Sequence, residues 1–245
     1  MSFQLKNKRV VITGGTSGIG LEIVRRLHID NEVIVIGRSQ ERLREAKAKC
    51  PSIAVFTADL SKSAYTISVG EQLAATYPSI DILINNAASQ YEPGFIDPAF
   101  DRNSIVPEIT LNFTSICLLT HCLLPRLTAA PRACILNVNS ALSMTPKTSS
   151  AVYCASKGAL NIFTRSLRYQ LEDTNVSVQQ AFLPLVDTGM TAGRGTGKMC
   201  PSEAAQLLLK GITHSTQDHA IGKVKVLRLL HWLMPPLARR ILKGS

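Results

Sequence analysis

The residue pair with the clearest capacity for acid–base chemistry is Tyr153 and Lys157, which lie four positions apart. Apolar residues at three- and four-residue spacing predict a helix over 153–171, which projects both side chains from one face, one turn apart. A phenol titrates near about 10, and a neighbouring ammonium group favours the phenolate and lowers that pKa. The pair therefore predicts a tyrosine that exchanges a proton near neutral pH. A solvated helix face has the same spacing, and the pair alone favours that interpretation.

A glycine-rich turn near the N-terminus is the second feature that predicts chemistry. It follows a β-branched strand predicted at Arg9–Thr13 and leads into an apolar helical pattern that includes Ile23 and Leu27. Glycines allow a close approach to a pyrophosphate, whose charge the N–H groups and dipole of a helix start attract. The spacing differs from the common GxGxxG fingerprint, so the turn alone is a weak indication. The residues of this candidate phosphate site are Gly14, Thr16, Ser17, Gly18, Ile19 and Gly20.

The elements that position these residues alternate between strand and helix along the chain. This alternation predicts an α/β fold, a single-domain Rossmann-type doubly wound parallel sheet flanked by helices on both faces. Ligands of such sheets bind beyond the carboxyl ends of the strands, where Gly14, Arg38, Asp59 and Asn86 fall. The predicted strands are 9–13, 32–36, 53–57, 80–84, 134–138 and 176–182, and the longest helices are 104–124 and 153–171.

Composition narrows the class of protein. The 245 residues, 45% hydrophobic and 18% charged, indicate a globular protein with a full core. The net charge of +10 suits nucleic acid, an anionic membrane or a phosphorylated cofactor, but no basic helix interleaved with aromatic residues is present, so nucleic acid is not expected. Six cysteines without metal-site spacing predict no metal and no disulfide framework. With an N-terminus that lacks a signal peptide's apolar core, they favour a cytoplasmic protein.

Arg38 carries a prediction about the cofactor. The residue that ends the second strand of such a fold normally meets the adenosine ribose, where an acid would exclude a 2′-phosphate. A guanidinium group instead pairs with that phosphate in a forked geometry. Arg38 therefore predicts NADP(H) as the preferred cofactor, with NAD(H) as the second option. The alternative is a solvated loop arginine.

Together these residues resemble the short-chain dehydrogenase/reductase family from Leu5 to Leu208. Thr13-Gly14-x-x-x-Gly18-x-Gly20 is similar to the family's cofactor motif, and Asn85-Asn86-Ala87 to its fourth-strand motif. The sequence departs from the family at Ala88, where glycine is usual, and at Leu183-Pro184, where Pro-Gly is usual and where proline stiffens the backbone. It is most similar to the poorly characterised DltE-like branch. The resemblance implies that Asp59 and Leu60 contact adenine, that Asn86 and Ala87 line the cofactor, that Val186 and Thr188 bind nicotinamide, and that Asn112, Ser140, Tyr153 and Lys157 form the catalytic tetrad.

The resemblance also implies the reaction, an NADP(H)-dependent transfer of hydride between nicotinamide and a carbonyl or secondary alcohol. Ser140 would polarise the carbonyl, Tyr153 would act as general acid or base, and Lys157 would bind the ribose and lower the Tyr153 pKa. Asn112 would position a water molecule. Asn139 and Ser143 are alternatives for the hydroxyl role, although Ser140 has the family's spacing to Tyr153. A different function stays open, that of a catalytically silent dinucleotide-binding regulatory or interaction protein.

The final expectations concern partners and the C-terminus. Helices 104–124 and 153–171 resemble the pair that forms the family's two-fold interface, whereas its closing strand after Gly222 is missing, so a homodimer is expected. Residues 1–221 are expected to form the Rossmann-type domain, with a loop at 189–200 that orders on substrate. Residues 222–245, the tail, are predicted to form two basic amphipathic segments. They either pack on the domain or also touch an anionic membrane, and both arrangements favour a larger, apolar carbonyl or alcohol substrate.

Overall fold

The computed structural model describes residues 2–243, apart from the side chain of Ile241. Its centre is a seven-stranded sheet of order β3-β2-β1-β4-β5-β6-β7, in which every strand pair is parallel. This arrangement confirms the predicted doubly wound fold. The strands are β1 (Arg9–Thr13), β2 (Glu32–Gly37), β3 (Ala54–Thr57), β4 (Ile82–Asn85), β5 (Ala133–Ser140), β6 (Val176–Leu183) and β7 (Asp218–Ala220).

Helices cover both faces of the sheet. Sequence analysis did not anticipate α7, although Pro201 at its first turn and the spacing of Ala204, Leu208 and Ile212 are typical of a helix. The helices are α1 (Gly18–Leu27), α2 (Gln40–Lys49), α3 (Ser63–Thr76), α4 (Ile105–Ile109), α5 (Ser115–Thr128), α6 (Ala151–Gln170), α7 (Pro201–Thr213), α8 (Val224–Leu233) and α9 (Pro235–Lys243).

Alternate residues along the strands are buried in two apolar cores, one on each face of the sheet. Val10 and Ile12 of β1 pack with Ile23 of α1 in one core, and Val11 packs with Leu123 of α5 in the other. All five side chains are fully buried, and each such burial stabilises the fold by about 1.5–3 kcal/mol. The sheet is therefore a rigid base for the loops at its carboxyl edge.

A long apolar helical stretch, Arg102–Thr128, has the length and composition to cross a membrane. In the fold, its Leu119, Leu123 and Leu127 are buried in the core. One side of this stretch therefore packs on the core of the domain. A π-helical turn at Thr110–Thr114 joins α4 to α5 and widens the helix at Asn112.

The closing edge of the sheet corrects one expectation. Sequence patterns gave six strands, but Asp218–Ala220 pairs with β6 as a seventh. Its residues are neither β-branched nor aromatic, so the strand has little intrinsic signal. The expectation that a closing strand is missing is therefore wrong, because β7 occupies this edge before Gly222 and α8 and α9 follow it in the chain.

The tail packs on the domain beside Ser140. Val224, Leu227 and Ala238 are buried in a small apolar cluster with Ala141 and Phe182. The predicted pair of amphipathic segments is thus present and attached to the body of the protein. Met1, Gly244 and Ser245 lie outside the described residues, and the division of the chain at residue 221 stays a prediction.

Candidate active site

The glycine-rich turn follows β1 and meets the end of β6. Gly14 and Gly18 adopt left-handed backbone conformations, with φ of 69° and 52°. A Cβ at Gly20 would lie 2.2 Å from the Gly14 carbonyl oxygen, so this position needs glycine. A Cβ at Gly18 would lie 3.0 Å from Cγ2 of Thr188. The turn, with its open backbone at the start of α1, therefore fits a dinucleotide pyrophosphate and adjoins the residue expected at the nicotinamide.

Asn86 and Thr13 hold this turn in place. The Asn86 side-chain amide donates to the carbonyl oxygens of Thr13 and Gly14, at 3.1 and 3.2 Å. The Thr13 hydroxyl accepts from the backbone N–H groups of Asn86 and Ala87, both at 3.0 Å. The structure thus gives Asn86 a positioning role, and the cofactor contacts expected of Asn86 and Ala87 stay predictions. The role of Thr13 hydroxyl was missed, although the motif begins at this residue.

Arg38 and Asp59 follow the next two strands at the same edge. Arg38 is exposed immediately after β2, and a Cβ on its neighbour Gly37 would lie 3.2 Å from Thr16 of the turn. Gly37 therefore lies against the turn, and the contact of its neighbour Arg38 with the adenosine ribose stays a prediction. Asp59 Oδ1 accepts from the Ser61 N–H at 3.1 Å and its hydroxyl at 2.7 Å. Its carboxylate therefore shapes the local turn, and the adenine contact of Asp59 and the buried Leu60 stays a prediction.

Tyr153 and Lys157 are both buried, with exposures of 8% and 3%. They lie on one face of α6, and the Lys157 Nζ atom is 5.8 Å from the centre of the Tyr153 ring. The ammonium group donates to the Val138 carbonyl oxygen at 3.0 Å. The interpretation of the pair as a solvated helix face is therefore wrong.

The protonation of this pair differs from the sequence-based expectation. Burial raises the pKa of Tyr153 to about 12, which outweighs the lowering by the Ser140 side chain and by the Arg194 charge. Burial also lowers the pKa of Lys157 to about 8. The expected lowering of the Tyr153 pKa by Lys157 is thus wrong for this arrangement, because withdrawal from water dominates both groups. At neutral pH the phenol keeps its proton.

Ser140 is the last residue of β5. The two alternative candidates, Asn139 and Ser143, form hydrogen bonds with other groups. The Asn139 side chain donates to Gln180 at 3.2 Å and accepts from the Ser140 N–H at 2.8 Å. The Ser143 hydroxyl donates to the Ser140 carbonyl oxygen at 2.7 Å. Of the three candidates for the hydroxyl role, Ser140 is the one whose side chain lowers the pKa of Tyr153.

Asn112 lies fully buried on the π-helical turn. Its Oδ1 accepts from the Ser89 N–H at 2.9 Å, and its Nδ2 donates to the Ser89 carbonyl at 2.8 Å and the Ser156 hydroxyl at 3.2 Å. These bonds tie the segment after β4 to the first turns of α6. Asn112 is therefore a positioning residue beside Tyr153, and its role in holding a water molecule stays a prediction.

Two charged residues near the phenol were missed at the sequence level. Glu108 is buried, accepts from the Tyr91 N–H at 3.0 Å, and has a pKa raised by burial. Its charge raises the pKa of Tyr153, whereas the charge of Arg194 lowers it. The charges of Glu108 and Arg194 thus have opposite effects on the pKa of Tyr153. No sequence spacing connects these residues, since they come from separate loops and helices.

The 189–200 segment, expected to be a substrate loop, is anchored at its base and its tip. At the base, the buried Val186 pairs with Met199 in a short bridge, and Thr188 and Thr191 cap one another. At the tip, Arg194 approaches Glu92 at 3.3 Å and the Gln90 carbonyl oxygen at the same distance. The loop therefore crosses towards the segment that follows β4.

Glu92 links this loop to the region before Tyr153. Its carboxylate contacts Lys147 at 2.9 Å and Arg194 at 3.3 Å, and its carbonyl oxygen accepts from the Ser150 N–H at 3.3 Å. Gln90 adds a bond to the Ser150 hydroxyl at 3.1 Å. These contacts join three loops near the candidate site: the segment after β4, the segment before α6 and the 189–200 segment.

The cysteine side chains make no disulfide, and burial raises the pKa of several thiols, to about 12 at Cys134. Such thiols stay protonated and are weak nucleophiles. Within residues 2–243, no group of three or more His, Cys, Asp or Glu side chains is arranged to hold a metal ion.

The fold and site geometry agree with comparison to known proteins. The chain belongs to the short-chain dehydrogenase family, whose model matches residues 8–198, and it is therefore an oxidoreductase of that family. It is 36% identical over 232 residues to the uncharacterized oxidoreductase DltE of Bacillus subtilis (strain 168), with 92% of each chain covered. This relationship confirms both the family and the DltE-like branch predicted from the motifs.

Two further proteins extend the comparison. A fatty acyl-CoA reductase of Acinetobacter baylyi is 31% identical over 218 residues, which cover 85% of this chain and 74% of that protein. The crystal structure of a short chain dehydrogenase from Burkholderia cenocepacia J2315 in complex with NADP matches with a TM-score of 0.88. That match is 20% identical and covers 99% of this chain and 100% of the other, so it shows a shared fold.

Proposed function

We propose that the protein is an NADP(H)-dependent carbonyl reductase or alcohol dehydrogenase that uses Tyr153 as general acid and base. The observation that carries this proposal is the buried Tyr153, whose pKa the Ser140 side chain lowers, on the same helix face as Lys157. A binding protein needs the glycine-rich turn but has no need for this arrangement. At neutral pH a phenol with a pKa of about 12 holds the proton that reduction of a carbonyl requires.

The chain's own residues supply acid–base and orienting chemistry. The nicotinamide cofactor, when bound, supplies or accepts the hydride. The Ser140 hydroxyl donates a hydrogen bond to the substrate carbonyl oxygen, and Tyr153 transfers its proton to that oxygen as negative charge develops there. The ammonium group of Lys157 has three donors, of which one binds the Val138 carbonyl, and we assign another to the nicotinamide ribose. In the opposite direction, Tyr153 accepts the proton of the alcohol.

The cofactor is held, in this proposal, by the residues at the carboxyl edge of the sheet. Gly14 to Gly20 bind the pyrophosphate, Thr188 and Val186 contact the nicotinamide, and Asp59, Leu60, Asn86 and Ala87 line the remaining cofactor path. Arg38 pairs with the 2′-phosphate, which makes NADP(H) the preferred cofactor. The NADP in the Burkholderia structure is consistent with this choice.

Arg38→Ala tests the cofactor preference. Because the substitution removes the cation assigned to the 2′-phosphate, kcat/KM for NADPH is expected to fall by about tenfold or more, while that for NADH changes little. The control is Arg44→Ala, which removes an exposed cation of α2. Equal kcat/KM values for the two cofactors in the unaltered protein would refute the preference.

The substrate, in this proposal, is an apolar carbonyl compound or the corresponding alcohol. Ser140 is followed by Ala141, and the side chains of Ala141 and Met144 pack with the tail, so apolar groups lie beside the reacting hydroxyls. The relative from Acinetobacter is named for a fatty acyl substrate, which is consistent with an apolar site. We further propose that the protein is a cytoplasmic homodimer.

The direct test is turnover with a graded panel of carbonyl compounds. The protein is incubated with NADPH and aldehydes and ketones of increasing alkyl length, and the nicotinamide absorbance is followed. NADPH consumption that is faster for longer, apolar members supports the proposal. Tight NADPH binding without turnover of any member would instead favour the catalytically silent dinucleotide-binding protein.

A further inference from the structure

The basic residues of the tail are not balanced by acidic ones. Between residues 222 and 243 it contains no Asp or Glu, and it supplies six of the chain's net charge of +10. The six basic side chains are exposed in the structure: Lys223, Lys225, Arg228, Arg239, Arg240 and Lys243. One of them, Arg228, reaches back to Asp218 at 3.7 Å. The tail is therefore a strongly cationic surface on a moderately cationic protein.

The inner side of the tail fixes its orientation on the domain. The His231 ring nitrogen Nδ1 lies 2.9 Å from the Thr145 hydroxyl. The Lys243 carbonyl oxygen accepts from the Thr148 N–H at 3.2 Å and its hydroxyl at 2.6 Å. These bonds and the apolar cluster around Leu227 hold α8 and α9 against the segment that precedes Tyr153. The outer side is therefore presented in a fixed direction.

The outer side is apolar as well as cationic. Trp232, the single tryptophan of the chain, is 78% exposed, and Leu229 and Leu233 on the same helix are 55% and 57% exposed. An isolated exposed leucine is ordinary, but several large apolar groups in one short segment mark an interaction surface. The exposed large apolar residues of the tail are Val226, Leu229, Trp232, Leu233, Met234 and Leu237.

We propose that this outer side of the tail docks on an anionic lipid membrane surface. Apolar side chains bury in the boundary between headgroups and acyl chains, tryptophan prefers that depth, and lysine and arginine attract anionic headgroups. Each basic residue near such a surface strengthens binding about fivefold. The inner side of the tail, which packs on Ala141 and Met144, would face away from the lipid.

A second copy of the chain fits this surface less well. A two-fold dimer through the tail would bring two sets of cations together, and residues 222–243 contain no Asp or Glu side chain to pair with them. An anionic membrane instead matches both the charge and the apolar side chains. The proposal concerns binding alone and does not depend on the proposed reaction.

Trp232 provides a direct readout in the full-length protein. Vesicles of phosphatidylcholine alone, or mixed with phosphatidylglycerol, are added while tryptophan emission and co-sedimentation are measured. Docking predicts a blue shift and co-sedimentation with the mixed vesicles only, both decreasing with added salt. Absence of binding, or equal binding to neutral vesicles, would overturn the proposal.

Two variants and a charge-matched control separate docking from general attraction. Arg239→Glu with Arg240→Glu, and separately Leu229→Gln with Leu233→Gln, are each expected to weaken binding by about tenfold or more. Arg44→Glu with Lys49→Glu on α2 changes the net charge equally and is expected to retain binding. A loss of binding in this control equal to that of the tail pair would overturn the proposal. The proposal would also be overturned if the protein bound no vesicles and instead self-associated in a way that Leu229→Gln with Leu233→Gln abolished.

Discussion

At the scale of single residues, the account depends on how burial sets the protonation of Tyr153. Desolvation raises the pKa of the phenol to about 12 and lowers that of Lys157 to about 8, so both groups favour their neutral forms more than in water. The proton donor is thus present at neutral pH, whereas alcohol oxidation needs the phenolate. We therefore expect the oxidation rate to rise with pH across the neutral and alkaline range.

Glu108 and Arg194 are expected to move that pH profile in opposite directions. The Glu108 charge raises the pKa of Tyr153, so Glu108→Gln lowers it and shifts alcohol oxidation to lower pH. The Arg194 charge lowers the same pKa, so Arg194→Gln shifts oxidation to higher pH. The measurement is kcat/KM for a secondary alcohol as a function of pH. Glu203→Gln, on the outside of α7, is the control, and shifts of the same sign in both variants would contradict the account.

At the scale of elements, the loops around the site are joined through Glu92. Its carboxylate contacts Lys147 and Arg194, which belong to two other loops. Glu92→Gln weakens both contacts, so the loops enclose substrate less well. Because partly exposed ion pairs contribute about 0–1 kcal/mol each, we expect KM for the carbonyl to rise about two- to fivefold.

The matched control for Glu92→Gln is Glu22→Gln. Glu22 also pairs with two cations, Arg25 and Arg26, but on the outer side of α1. Its substitution is expected to leave KM unchanged. A KM that stays at the unaltered value in Glu92→Gln, or that rises equally in both variants, would show that the loop contacts have no role in substrate binding.

The sequence predicted the elements whose own residues carry a strong pattern. The β-branched run at β1 and the apolar spacing in α6 predicted the bounds of these two elements to within a few residues. They could do so because local periodicity reflects which face of an element is buried. Strand β7 has no such pattern and forms because β6 offers an unpaired edge. The raised Tyr153 pKa was likewise not predictable, since it depends on burial by side chains distant in the sequence, among them Glu108 and Arg194.

At the scale of the whole molecule, the helices next to the site offer a second apolar surface. Val106 of α4 and Ile162 and Tyr169 of α6 are all more than half exposed. This surface is distinct from the tail and lies on the helices that resemble the family's two-fold interface. A contact of this kind pairs the same patch on each copy and closes as a dimer.

The expected assembly is a homodimer, measured by light scattering at micromolar concentration. Ile162→Asp places a carboxylate in the expected contact and should yield monomers. Ile29→Asp changes an exposed apolar residue in the turn between α1 and β2 and should leave the dimer intact. A stable tetramer of the unaltered protein would contradict the expectation. A dimer that persists in Ile162→Asp would show that the interface lies on another surface of the protein.

The measurement that tests the central claim most directly is NADPH consumption by Tyr153→Phe. The ring of the variant still fills its buried position, but the transferable proton is gone. With any carbonyl compound that the unaltered protein reduces, kcat is expected to fall by a factor on the order of 10²–10⁴, while NADPH affinity measured by fluorescence changes little. A variant that kept the unaltered kcat would contradict the assignment of Tyr153 as the proton donor.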